Sequence, residues 1–153
     1  MKIIILLTVL RALGAAHAEQ ALIVTNAIIS ESENASVTVD PLLIAAIAGH
    51  ESNFNPKAVS SDGQDHGLMQ LRQGVSTHLS VRTLHDPTRN VREGIRVLNE
   101  RILQCGTLPK ALAAYNTGVC SPTGRVGVRA RRYVRAVLRD YEALRAASAD
   151  RGT

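Results

Sequence analysis

A stretch that is apolar from Leu42 to Ala48, opened by Asp40-Pro41 and closed by Glu51 ahead of Pro56, constrains this chain most. Asp40 is a good N-cap and proline suits the first helical position, while Pro56 disfavours helical geometry at Asn55. The spacing therefore predicts a helix from Pro41 whose last turn holds Glu51. A lone carboxyl group then ends an apolar helix. The negative end of the helix dipole and apolar surroundings both favour its protonated form, but the dipole is worth about 0.3 to 1 kcal/mol, whereas burial moves a pKa by up to ~3 to 5 units. Burial decides whether Glu51 can act as a general acid, the role for which its placement looks built.

With 153 residues, 45% of them hydrophobic, the chain is sized for one domain with a real core. Its N-terminus reads as a secretory signal, with Lys2 as the positive region, residues 3–10 as the apolar run and Ala16-His17-Ala18 as a small-residue cleavage site. That run falls far short of the ~18 to 20 residues that span a bilayer. Cleavage after Ala18 is expected to leave an exported protein of the periplasm or cell wall, with no stable membrane insertion. The expected division is a signal over 1–18, one folded domain over 19–147 and a polar tail over 148–153.

Cleavage removes Lys2 and Arg11 and no acid, which takes Lys and Arg from 18 to 16 against 13 acids, a net charge of +3. The late cluster of Arg125, Arg129, Arg131, Arg132, Arg135 and Arg139 reads as a solvated helix face rather than an anion-binding surface. There is no Trp and only one Phe, so nothing resembles an aromatic platform for stacking bases, and nucleic acid is not an expected partner. Cys105 and Cys120 fit an exported protein with a single disulfide closing a loop of about 16 residues, worth ~3 kcal/mol in the chain-entropy model. They lack the nearby His ligands of a zinc site and the base that a catalytic Cys needs.

Residues 19–29 read as helical, 30–39 as a connection, and Ser60-Ser61-Asp62-Gly63-Gln64-Asp65 as a surface turn. Asp86-Pro87 opens a helix with Val91, Ile95, Leu98 and Ile102 on one face, ending at Cys105-Gly106. Thr107 and Pro109 start a short helix stopped at Asn116-Thr117-Gly118, residues 119–128 read as a loop, and a last helix carries Tyr133, Val134, Val137, Leu138, Tyr141 and Leu144. No strand alternation of useful length occurs. The expected class is all-α, with a groove floored by helix ends and loops.

Three segments carry chemistry in order: Glu51-Ser52-x-Phe54-Asn55-Pro56-x-Ala58-Val59-Ser60, then Gly67-Leu68-Met69-Gln70, then Ala113-Ala114-Tyr115-Asn116-x-Gly118. Together they resemble the soluble lytic transglycosylase family, whose catalytic domain is lysozyme-like, and the resemblance extends over roughly 40–137 through Asp86-Pro87-x-x-Asn90-Val91 and Tyr133-Val134-x-x-Val137. The short length and the cysteines flanking Tyr115-Asn116 further resemble the small members that accompany type IV secretion and conjugation machines. Leu71-Arg72-Gln73-Gly74 departs from the Ile-Met-Pro or Ile-Asn-Ser that commonly follows Met-Gln in the family.

The resemblance implies cleavage of the β-1,4 bond between N-acetylmuramic acid and N-acetylglucosamine in peptidoglycan glycan strands, without hydrolysis. Glu51 would protonate the glycosidic oxygen, the substrate's N-acetyl group would stabilise the oxocarbenium, and Glu51 would then deprotonate the muramic O6 hydroxyl to close a 1,6-anhydro ring. It also implies that Ser60, Met69, Gln70, Tyr115 and Asn116 line the groove, with the Tyr115 hydroxyl directed toward Glu51 or substrate. Met69 could equally fill the core, and His50 and His66 read as local hydrogen-bonding residues; no metal or cofactor is expected. Standard glycosidases need two carboxylates, and the recognisable motifs hold one. Asp62 or Asp65 could in principle hold a water and make the enzyme a hydrolase of the goose-lysozyme kind, and a non-catalytic wall-binding module is the third reading.

Overall fold

Asp40 accepts the Leu42 amide at 2.9 Å, Pro41 takes the first helical position, and the segment coils into a helix numbered here α3 (Pro41–Ser52). Its exit is sharp: Asn53 and Phe54 adopt left-handed φ values of 50° and 61°, while their amides bond back to the carbonyls of Gly49 and Ala48. Every residue from Leu42 to Ala48 is buried. A helix apolar on all sides is stable only when surrounded, and α3 is accordingly the central element.

The computed structural model describes residues 1–37 and 39–150. Around α3 lie α1 (Lys2–Leu13), α2 (Ala18–Glu33), the single turn α4 (Val81–Leu84), α5 (Pro87–Cys105), α6 (Leu108–Thr117) and α7 (Gly124–Ala149). A short 3-10 turn (Ala15–His17) joins α1 to α2. Helix α7 packs along α3, and α5 is held between α2 and α6. The buried faces of α5 (Val91, Ile95, Leu98) and α6 (Leu112) meet Ile44 and Ile47 in one core. Buried Glu31 of α2 receives Arg92 of α5 through two bonds of 2.7 and 3.0 Å, which fixes the pair. The class is mainly α as expected. The described residues add a hairpin of β1 (Asp65–His66) antiparallel to β2 (Leu71–Arg72), pairing Asp65 with Arg72 and His66 with Leu71.

Several boundaries differ from those read along the chain. Helix α2 runs to Glu33, four residues into the expected connection, with Glu31 and Ser32 buried. Helix α7 begins at Gly124 rather than after residue 128, because burial of Gly127 and Ala130 against the rest of the fold outweighs glycine's poor helix propensity. It also continues to Ala149, so Ser148 and Ala149 of the expected tail are helical; 151–153, like Thr38, lie outside the described residues. The late arginines are exposed along α7, as a solvated face would be.

Among the described residues no single helix is long and apolar enough to cross a membrane; α1 and the following helix pass jointly but bend by 120° between them. Ile5 and Val9 of α1 are fully buried in the same core as α3.

Candidate active site

Because α3 ends one residue after Glu51, the carboxylate leaves the helix at its C-terminus and meets a groove of about 420 Å³. The near wall of this groove is Ser60, Asp65, Gln70 and Arg72 from the loop and hairpin, and the far wall is Tyr115, Asn116, Thr117 and Gly118 from the exit of α6. Glu51 keeps some accessible surface in the groove, yet its surroundings are dense enough that burial pushes its carboxyl up to about 7. The Tyr133 hydroxyl opposes that shift, donating to Glu51 Oε1 at 2.6 Å, and the charge of Asp65 adds to it. A carboxyl poised near neutrality can give up a proton and take one back.

The turn over 67–70 is locked from beneath by Asn90 of α5. Fully buried, Asn90 accepts the Met69 amide at 2.7 Å and donates to the carbonyls of His66 and Leu84 at 3.0 and 2.8 Å. Gly67 has φ +79°, and a Cβ there would stand 2.2 Å from the Leu84 carbonyl oxygen, so only glycine fits. Ser52 ties the end of α3 to this turn by donating to the Leu68 carbonyl at 2.9 Å. Gln70, at φ 48°, places its amide nitrogen 2.9 Å from the Gly67 carbonyl and 3.3 Å from that of Ala58.

Of the residues nominated from sequence, Glu51, Ser60, Gln70, Tyr115 and Asn116 come together on this groove. Met69 does not. It is fully buried against Gly94, where an added Cβ would come within 2.7 Å of the Met69 side chain, so it packs in the core and leaves the groove wall to its neighbours. Tyr115 lines the groove but its hydroxyl points elsewhere: it donates to the Met69 carbonyl at 2.8 Å, pinning α6 to the turn, and burial raises its pKa well above the usual value. The tyrosine on Glu51 is Tyr133, 82 residues away on α7, which reads in sequence as one more apolar-face residue. Ser60 accepts the amides of Asp65 and Gln64 at 2.9 and 3.2 Å and donates to Asp62 at 2.5 Å, so it also shapes the loop over 60–65. His50 meets Asp140 at 2.8 Å, a local contact between α3 and α7. Cys105 and Cys120 form the disulfide, which ties the C-terminus of α5 to the chain beyond α6 and so brackets α6 in sequence.

Residues 28–128 match the family model of the transglycosylase SLT domain. The chain belongs to this family. The SLT domain here is similar to the transglycosylase of Enterobacteria phage PRD1, 36% identical over 85 residues, which is 56% of this chain and 32% of that protein. It is also similar to the membrane-bound lytic murein transglycosylase F of Yersinia enterocolitica, 40% identical over 88 residues, 52% of this chain and 18% of the relative. The chain thus spans a third or less of the curated relatives it matches. Among solved structures, an inactive glutamate-to-glutamine mutant of the lytic transglycosylase Slt from Pseudomonas aeruginosa superposes with a TM-score of 0.65 at 26% identity, over 78% of this chain and 23% of that one. The matched residues take in α3, the turn over 67–70 and the exit of α6.

Proposed function

We propose that this SLT domain is a peptidoglycan lytic transglycosylase in which Glu51 works alone, first as acid and then as base. The carrying observation is the state of Glu51: a carboxyl at the floor of a polar groove, pushed up to about 7 by burial and held at 2.6 Å by Tyr133. Protonated, it can donate to the glycosidic oxygen. Once it is ionised, the Tyr133 hydroxyl stabilises the carboxylate until it accepts the proton of the muramic O6 hydroxyl, which closes the 1,6-anhydro ring. Ser60, Gln70, Tyr115 and Asn116 line the glycan path in this reading. The names of the relatives from Yersinia enterocolitica and Pseudomonas aeruginosa support the same reaction class.

Export belongs to the same reading. Residues 1–18 have the order of a secretory signal, glycan strands lie outside the cytoplasmic membrane, and a disulfide between Cys105 and Cys120 suits an oxidising compartment. Local opening of the wall for an envelope-spanning secretion or conjugation apparatus fits a catalytic domain of this small size.

The test is digestion of purified sacculi with the full chain, and in parallel with protein lacking residues 1–18, followed by mass spectrometry of the released ends. Anhydro ends that vanish in Glu51→Gln are expected. Reducing ends would make the protein a hydrolase, and retained binding without release would make it a wall-binding module.

A further inference from the structure

The groove holds a second carboxylate. Asp65 on β1 and Arg72 on β2 are register partners across the hairpin, and both line the cavity that Glu51 floors. Arg72 meets the acid edge-on, with Nε donating to Asp65 Oδ1 and Nη2 to Oδ2, each at 2.8 Å. Nη2 also reaches Asp62 Oδ2 at 3.2 Å. Asp65 is 27% exposed, so the groove's water can reach it, and its charge is felt at Glu51.

Two carboxylates flanking a glycosidic bond are the equipment of a hydrolase, one protonating the leaving oxygen while the other deprotonates an attacking water. Here the second is taken. A guanidinium is charged at every working pH, and its planar fork fits a carboxylate edge with two parallel bonds, a strong and geometrically specific pairing.

We propose that Arg72 holds this enzyme to intramolecular ring closure by occupying the Asp65 carboxylate that would otherwise position and deprotonate a water. This rests on the reading of Glu51 as the acid and base of glycan cleavage, and Arg72 is a positioning residue that acts through Asp65. In ring closure, O6 of the muramoyl residue bonds to C1 and the C1–O4 bond breaks. Glu51 gives its proton to the departing O4 and receives that of O6, and no water is consumed. With Asp65 released, a water oxygen bonds to C1 as the same bond breaks. Glu51 protonates O4, Asp65 takes the water's proton, and exchange with solvent restores both groups; one water is consumed per bond, leaving a reducing end.

The experiment digests sacculi in heavy-oxygen water with the full chain and its variants, and reads labelled reducing ends against anhydro ends. The wild type is expected to give anhydro ends. Arg72→Met and Arg72→Gln should raise the labelled fraction about tenfold or more, ~1.4 kcal/mol in partitioning. Arg72→Lys, which keeps the cation but loses the two-bond fork, should give a labelled fraction between those of the wild type and Arg72→Met, and Asp65→Asn added to Arg72→Met should abolish the label. A loss of packing alone would lower turnover without moving the product ratio; because Arg72 is 33% exposed on a two-residue strand, all three Arg72 variants are expected to fold. Anhydro ends alone from the wild type, Arg72→Met and Arg72→Gln would overturn this inference by itself, as would label that survives Asp65→Asn. A wild type that releases no ends, or reducing ends, would overturn the reading of Glu51 and this inference with it.

Discussion

Replacing Glu51 by glutamine should make the protein more stable at alkaline pH while removing its activity. The carboxyl is raised from 4.5 to about 7, chiefly by burial. An acid whose folded pKa lies above its unfolded value binds more protons when folded, so the stability it contributes is fully present below about 4.5 and is lost as pH rises toward 7. A shift of roughly 2.5 units at 1.36 kcal/mol per unit is about 3 kcal/mol, an upper figure because Glu51 keeps some contact with groove water. Glutamine has nothing to ionise, so its curve lacks this fall. Urea titrations of both proteins from pH 4 to 8.5 isolate the effect as the difference between the two stability curves, in which groups common to both cancel. The gap should open by up to ~3 kcal/mol in favour of Glu51→Gln across that window, or roughly 6 to 12 °C in Tm for a chain of this size. Parallel curves, within about 0.5 kcal/mol at all pH values, would mean that Glu51 is not desolvated in solution and that its use as an acid near neutrality needs another cause.

Tyr133→Phe removes the hydroxyl that stabilises the Glu51 anion, so the alkaline fall of kcat/KM should move to higher pH while kcat drops; an unmoved limb would show that the 2.6 Å contact does not operate in the free enzyme. Reduction of the Cys105–Cys120 disulfide should cost about 3 kcal/mol of stability and slow turnover, since the bridge closes the loop that carries α6 and its groove-lining exit; unchanged Tm and turnover under reductant would refute both. Asn90→Ala strands the Met69 amide and the carbonyls of His66 and Leu84, and should destabilise by about 3 to 5 kcal/mol in chemical denaturation; a loss under 1 kcal/mol would mean that the turn over 67–70 is held by other contacts.

Sequence by itself determined the elements whose causes are local. Asp40-Pro41 and Asp86-Pro87 start helices where a cap bond and a preset φ act within one turn, Gly106 and Gly118 stop α5 and α6 at left-handed positions, and the 4, 3, 4 spacing of Val91, Ile95, Leu98 and Ile102 turns one face of α5 inward. Glu51 at the end of an apolar helix was legible for the same reason, whereas Ser60, Gln70, Tyr115 and Asn116 were expected on the groove only through the family resemblance. Only the tertiary structure decided which side chains meet. Tyr133 rather than Tyr115 reaches Glu51 because α7 lies along α3, a packing that no local signal encodes. Met69 turns into the core because Gly94, 25 residues on, leaves it the space. Asp65 reads in sequence as part of a surface turn and Arg72 as a departure from the family pattern; the hairpin makes them register partners in the groove. Caps and periodicity act over a few residues, whereas the burial that raises Glu51 and the hydrogen bond that opposes it are assembled from α3, α7 and the hairpin only when the chain has packed.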